Sequence, residues 1–179
     1  MSYCALMIVD NSGEVLNHTE FRNSWGYGAF IWTKLFDKYL KDPCEKYDSW
    51  MSEKNSEKLW KLVHDDRLEG FERRVLASTF DNAMVKKANF AEFVHDLQAF
   101  AEKYPDSKAV CHIQDMAQII DNLEDIAICW HLTSVCSNPW YVYDGEKDES
   151  EVYNINTRED HWFLDFSQPS GLPKDNTEV

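Results

Sequence analysis

ICWHLTSVCSNPW, residues 128–140, packs two cysteines, a histidine, a threonine, two serines and two tryptophans into one stretch, and its secondary structure decides the fold. Periodicity alone allows either a helix or a strand across the apolar run from Ile126 to Val135. The Cys, Trp, Thr and Val residues around position 130 favour a strand, because such side chains suit a pleated, half-buried surface. A strand here adds to the β structure expected on either side of the helical middle and predicts an α+β chain.

Downstream, Asn138-Pro139 marks a turn. WYVYDG and SEVYNI then suit a hairpin joined by the acidic loop from Asp144 to Ser150, and HWFLDF reads as an edge strand. Pro169, Gly171 and Pro173 introduce a polar tail, so the expected organisation is one globular domain over 1–168 and a tail over 169–179. Upstream, the chain opens with a predicted hairpin, Tyr3 to Val9 and Glu14 to Phe21, turned by Asp10-Asn11-Ser12-Gly13. A helix follows between a Ser24 cap and Pro43, its first turn loosened by Gly26 and Gly28. Ser56 to Val63 reads as a short amphipathic helix, and Phe71 to Val85 keeps the three-and-four spacing of another. Asn89 with Glu92 three positions later resembles a capping box and opens a helix that closes at Pro105. Ala109 to Ile113 suits a short strand and QDMAQIIDNLED a helix. The predicted architecture is therefore an N-terminal hairpin, a central helical layer, and C-terminal antiparallel strands completing one sheet.

With 179 residues and 44% hydrophobic side chains, the chain is large enough for a real core. Its longest apolar runs are far shorter than the roughly 20 residues of a membrane helix or the h-region of a signal peptide. Five cysteines at 4, 44, 111, 129 and 136 do not form a secreted disulfide pattern. These features predict a cytoplasmic protein with reduced thiols and no membrane contact. A formal charge of −14 repels phosphate backbones and argues against direct nucleic-acid binding. Between Asp144 and Val179 there are ten Asp or Glu and three Lys or Arg, so half of that charge falls in the last fifth of the chain.

Three constellations could carry chemistry. Cys129, His131 and Cys136, with Cys111-His112 upstream, are zinc-type donors. On a strand, however, Cys129 and His131 share one face and Cys136 faces the other, and cysteine is commonly buried for packing alone. No metal or cofactor is called for. WHLTSV, residues 130–135, resembles the apolar-His-apolar-Thr motif of the two-histidine phosphoesterases. That resemblance covers one short motif and implies that His131 and Thr133 act on a phosphodiester. Asp10, at the end of the first strand, stands where ribonuclease H-type nucleases place a metal-binding aspartate, and is equally an Asx-turn residue.

The charge leads to the functional expectation: an acidic, non-catalytic protein that binds a basic surface of another macromolecule. The partner would be a protein, for example a nucleic-acid-binding one, inhibited by DNA imitation of the kind encoded by mobile elements. Asp144, Glu146, Asp148, Glu149, Glu151, Glu159 and Asp160 form the expected acidic face, with Trp140 and Trp162 as anchors. A small phosphodiester hydrolase centred on His131 and Thr133 is the alternative.

Overall fold

The computed structural model describes residues 3–22, 27–45, 48–105, 110–132, 138–144 and 149–174. Ser24, Gly26, Thr133, Cys136, Glu146 and Asp148 lie outside them. The hairpin forms as the sequence predicts, with β1 (Tyr3–Val9) antiparallel to β2 (Val15–Arg22). Asp10 turns the chain: its Oδ1 accepts hydrogen bonds from the Ser12 N–H at 2.8 Å, the Ser12 hydroxyl at 2.7 Å and the Glu14 N–H at 3.0 Å. Gly13 completes the turn at φ +86°, a conformation that favours glycine, and a Cβ there would meet the end of the Asn156 side chain.

Next come α1 (Tyr27–Tyr39), α2 (Glu53–Lys61) with a 3-10 turn at Leu62–His64, and α3 (Gly70–Ala77). The helical spacing read through Val85 stops at Ala77. Asn82, at φ 59°, reverses the chain, and β3 (Ala83–Lys86) follows. A second 3-10 turn, Lys87–Asn89, leads into α4 (Phe90–Lys103). Asn89 makes no side-chain cap, whereas Glu69 and Glu72 form a reciprocal capping box on α3. Ala109 lies outside the described residues, and from Val110 the expected strand over 109–113 is instead the start of α5 (Val110–Asp121), whose Ile113, Met116, Ala117 and Ile120 are buried at helical spacing. The deciding stretch is a strand, β4 (Ala127–His131), buried along its whole length.

The sheet has the order β2-β1-β4-β3-β7, where β7 is Trp162–Phe163. β4 is antiparallel to both of its neighbours, and β7 runs parallel to β3 at the edge. The fold is thus α+β. Its C-terminal strands divide differently from the expectation: β5 (Tyr141–Asp144) and β6 (Glu149–Val152) pair only with each other, in a separate two-stranded sheet. The packed structure also extends beyond residue 168, since Asp165 bridges Gly171 and Leu172 is buried in the main core.

Strand alternation gives the large sheet two covered faces. Leu6, Val85, Ile128 and Trp130 face the helices. Trp130 joins them: Tyr27 of α1 stacks on it at 5.2 Å, Phe93 of α4 lies at 5.5 Å, and its indole N–H points to Met116 Sδ of α5 at 3.0 Å. Ala5, Met7, Val15, Met84 and Cys129 face the other way, under Trp140 and Tyr153. The C-terminal segment holds this lid in place through the Val15 N–H to Tyr153 C=O bond at 2.9 Å and the Ile155 N–H to Gly13 C=O bond at 2.9 Å. Among the described residues, no helix is long and apolar enough to cross a membrane.

Two buried carboxylates tie the helical layer together. Asp96 of α4 accepts two hydrogen bonds from the Arg74 guanidinium of α3, at 2.6 and 2.7 Å. Glu72 accepts from the Tyr39 hydroxyl, the Tyr104 hydroxyl and the Glu69 N–H, and lies 2.9 Å from Lys103 Nζ. Burial alone would raise the pKa of Glu72, but the bonds from Tyr104, Lys103, Glu69 and Tyr39 together hold it below the ordinary glutamate value. A carboxyl depressed by folding stabilises the fold above its unfolded pKa and loses that contribution as pH falls through the folded one. Unfolding free energy is therefore expected to decline below about pH 4.3, the unfolded glutamate range. In Glu72→Gln this acid limb should flatten, a result readable from urea melts between pH 3 and 7.

Candidate functional site

A pocket of about 180 Å³ opens where α1, α2, the turn before β3 and the end of β4 converge. Its local sequence explains the meeting. Trp32 and Trp60 stand beside the fully buried stripes of their helices, and the Asn82 turn brings Phe80 and Asp81 to the same place. Trp32, Trp60 and Phe80 line one side, and Trp130, His131 and Leu132 line another. Trp60 is nearly perpendicular to both aromatic neighbours, at 87° to Trp32 and 84° to Phe80. The series continues outward to Trp50 and Trp162, with ring centroids 5.0 Å from Trp32 and 6.4 Å from Phe80.

Internal partners take up the polar edges of these rings. The Trp32 indole N–H donates to the Thr79 hydroxyl at 2.8 Å, that of Trp50 to the Thr33 hydroxyl at 3.0 Å, and that of Trp162 to the Asp81 carbonyl at 3.0 Å. The rim is acidic. Asp81 is exposed, and the Asn82 amide donates to the Asp160 carbonyl at 2.9 Å, joining the pocket to the exposed Glu159-Asp160 segment. The Asp160 carboxylate accepts from the Tyr153 hydroxyl at 2.6 Å, and that bond, opposed by some burial and helped by Arg158, keeps its pKa below the usual aspartate value. Aromatic faces beside the exposed Asp81 side chain make this a concavity suited to an organic cation, through the ring quadrupole and through charge.

The residues singled out from sequence divide between the β5–β6 pair, where Asp144 stands opposite Glu149, and the segment from Glu159 to Trp162. Glu151, Glu159 and Asp160 are exposed. Asp144 lies in β5 and Glu149 in β6. Trp140 is fully buried, its indole N–H donating to the Trp130 carbonyl at 2.8 Å, so it belongs to the lid of the second core and offers no surface to a partner. Trp162 is half-buried at the end of the aromatic series. The cross-strand pair Tyr141 and Val152 of β5 and β6 does reach solvent, at 40% and 37% exposed.

His131 is 5% exposed and follows Cys129 on the face away from the helices. It borders the pocket, where it is the only histidine among the lining residues. His161 sits against Tyr153 and Phe163, and His112 against Phe21. Burial raises the thiol pKa of Cys129 far above its ordinary value and pushes that of Cys4 to about 12, in keeping with packing rather than nucleophilic roles. Among the described residues, none of Asp10, Cys129 and His131 belongs to a group of three coordinating side chains.

Sequence reasoning missed Trp32, Trp60, Phe80 and Asp81. The available signal was the crowding of Trp32, Trp50 and Trp60 into one third of the chain, with Trp32 off the apolar stripe of its own helix. No protein-family model, curated protein or solved structure matches the chain.

Proposed function

We propose that this is an acidic binding protein that engages a basic surface of another macromolecule, seating a cationic side chain in the tryptophan pocket. The observation that carries the reading is the continuity of that pocket, through Asp81 and the Asn82 to Asp160 hydrogen bond, with the exposed acidic segment at 159–160. The exposed Tyr141 and Val152 pair beside Glu151 supports it, because an apolar contact bordered by charge suits a protein partner. A basic groove that normally holds nucleic acid is the kind of surface such a face would meet. His131 supplies less support for phosphodiester hydrolysis: it lines the same pocket, but it is 5% exposed and no second histidine stands with it among the lining residues.

An arginine-rich peptide titrated at low salt and followed by tryptophan emission tests the assignment. Reversing Asp81 and Glu159 to lysine is expected to weaken binding on the order of tenfold and to reduce its salt dependence. Reversing Glu102 and Asp121, exposed on α4 and α5, makes the same change in net charge and should have much less effect. Trp60→Ala should weaken binding at constant charge, by the ~0.5–2 kcal/mol of a cation–π contact. Equal losses from the two charge-reversed pairs would reduce the acidic face to a nonspecific effect of net charge and overturn the proposal.

A further inference from the structure

The helix that replaces the expected strand at residues 109–113 brings together three side chains that a strand would have separated. On a strand, Cys111 and His112 project to opposite faces. On α5, Asp115 is one turn from both, at the i+4 position from Cys111 and i+3 from His112, which makes the three neighbours on one surface. Cys111 Sγ, an imidazole nitrogen of His112 and a carboxylate oxygen of Asp115 all lie within 4.8 Å of one another. We propose that these residues form a binding site for a divalent metal ion of the zinc class, independent of the tryptophan pocket and of the function proposed for it.

The geometry supports a built site in two ways. Ile113, Met116, Ala117 and Ile120 lock the inner face of α5 into the core, so the helix presents the donors from a fixed backbone. The half-buried His112 ring also stands edge-on to Phe21 of β2, with centroids 6.1 Å apart at 78°, which limits the orientations of the imidazole. Cys111 and Asp115 are exposed and can adjust. With metal–ligand bonds of about 2.0–2.3 Å, tetrahedral donors lie roughly 3.3–3.8 Å apart, so closure takes a side-chain movement of about an ångström.

The donor set selects the ion. A thiolate and an imidazole favour Zn²⁺ and its transition-metal neighbours over Mg²⁺ or Ca²⁺, which take oxygen ligands. Three protein ligands leave a fourth tetrahedral position for water. On binding, the Cys111 thiol gives up its proton to solvent and the metal–sulfur bond takes its place.

Cobalt(II) titration of the reduced, metal-stripped protein tests the site, with Co²⁺ as a spectroscopic substitute for zinc. A saturable thiolate-to-cobalt charge-transfer band at one ion per chain, abolished by added Zn²⁺, is the expected result. Cys111→Ser should eliminate the band, and Cys44→Ser, at the other exposed cysteine among the described residues, should leave it intact. Altering groups that merely orient a ligand weakens metal binding ~10–100-fold, so His112→Ala and Asp115→Asn should each cost at least that much. All three donors lie on the outer side of α5, and unchanged circular dichroism would separate loss of metal from loss of fold. Absence of the band in the unmodified protein, or its persistence in Cys111→Ser, would overturn the site.

Discussion

Asp96→Ala is expected to lower the unfolding free energy by about 3–5 kcal/mol, because it leaves the Arg74 guanidinium in a largely buried position without its carboxylate. The pair is bidentate, at 2.6 and 2.7 Å, and Asp96 is fully enclosed between α3 and α4. Against a typical total of ~5–15 kcal/mol, such a loss takes much of the margin of the fold. Replacing both partners together separates the strength of the pair from the penalty of an orphaned charge. Arg74→Met with Asp96→Leu should recover most of the stability, since a well-packed apolar pair often matches a buried ion pair. Urea unfolding followed by circular dichroism measures all three proteins. A double variant as unstable as Asp96→Ala would mean that the ion pair itself contributes more than its replacement by packing can.

Trp140→Ala should be comparably severe, at about 3–5 kcal/mol for removal of a buried aromatic side chain. This indole fills the second face of the sheet, packs edge-to-face on Tyr153 with centroids 5.3 Å apart, and satisfies the Trp130 carbonyl. Its loss should also open a route to Cys129, which is fully buried beneath it in the same cluster. Thiol labelling mapped by mass spectrometry should find Cys129 protected in the native protein and reactive in the variant. Trp140→Phe should do less damage, chiefly by leaving the Trp130 carbonyl without its donor. An unchanged Cys129 labelling rate in Trp140→Ala would show that the lid closes without this residue.

The parts of the fold legible in the sequence were those with strong local chemistry. Asp10 to Gly13 announced the first turn because Asp, Ser and Gly make it through their own atoms, and the Cys, Trp, Thr and Val around position 130 read as the strand that β4 is. β3 was hidden. It is four residues long and buried on both faces, so it lacks alternation, and Met84 and Val85 continue the helical spacing from Phe80. Only the left-handed turn at Asn82 separates the two structures. The start of α5 is a short run that suited a strand on its own, while the spacing of Ile113, Met116 and Ile120 across the longer stretch was the better guide. Trp140 was expected to anchor a partner because Trp often does so at interfaces, yet with Tyr153 it covers the second face of the sheet. The tryptophan pocket left no signature beyond the crowding of Trp32, Trp50 and Trp60, because it is assembled from α1, α2, the turn before β3 and the end of β4.

The strand order also sets a schedule for synthesis. Both neighbours of β3, namely β4 and β7, lie C-terminal to it in the chain. A ribosome adding ~5–20 residues per second needs on the order of ten seconds to pass from the end of β3 to the end of β7. Throughout that interval Met84 and Val85 emerge without the strands that will cover their backbone, and β1 has only β2 beside it. The helices can assemble early from local contacts, but the sheet beneath them closes only when β7 has left the ribosome. Nascent chains halted between β3 and β4 should therefore be the form of this protein most prone to chaperone capture and to pairing with one another.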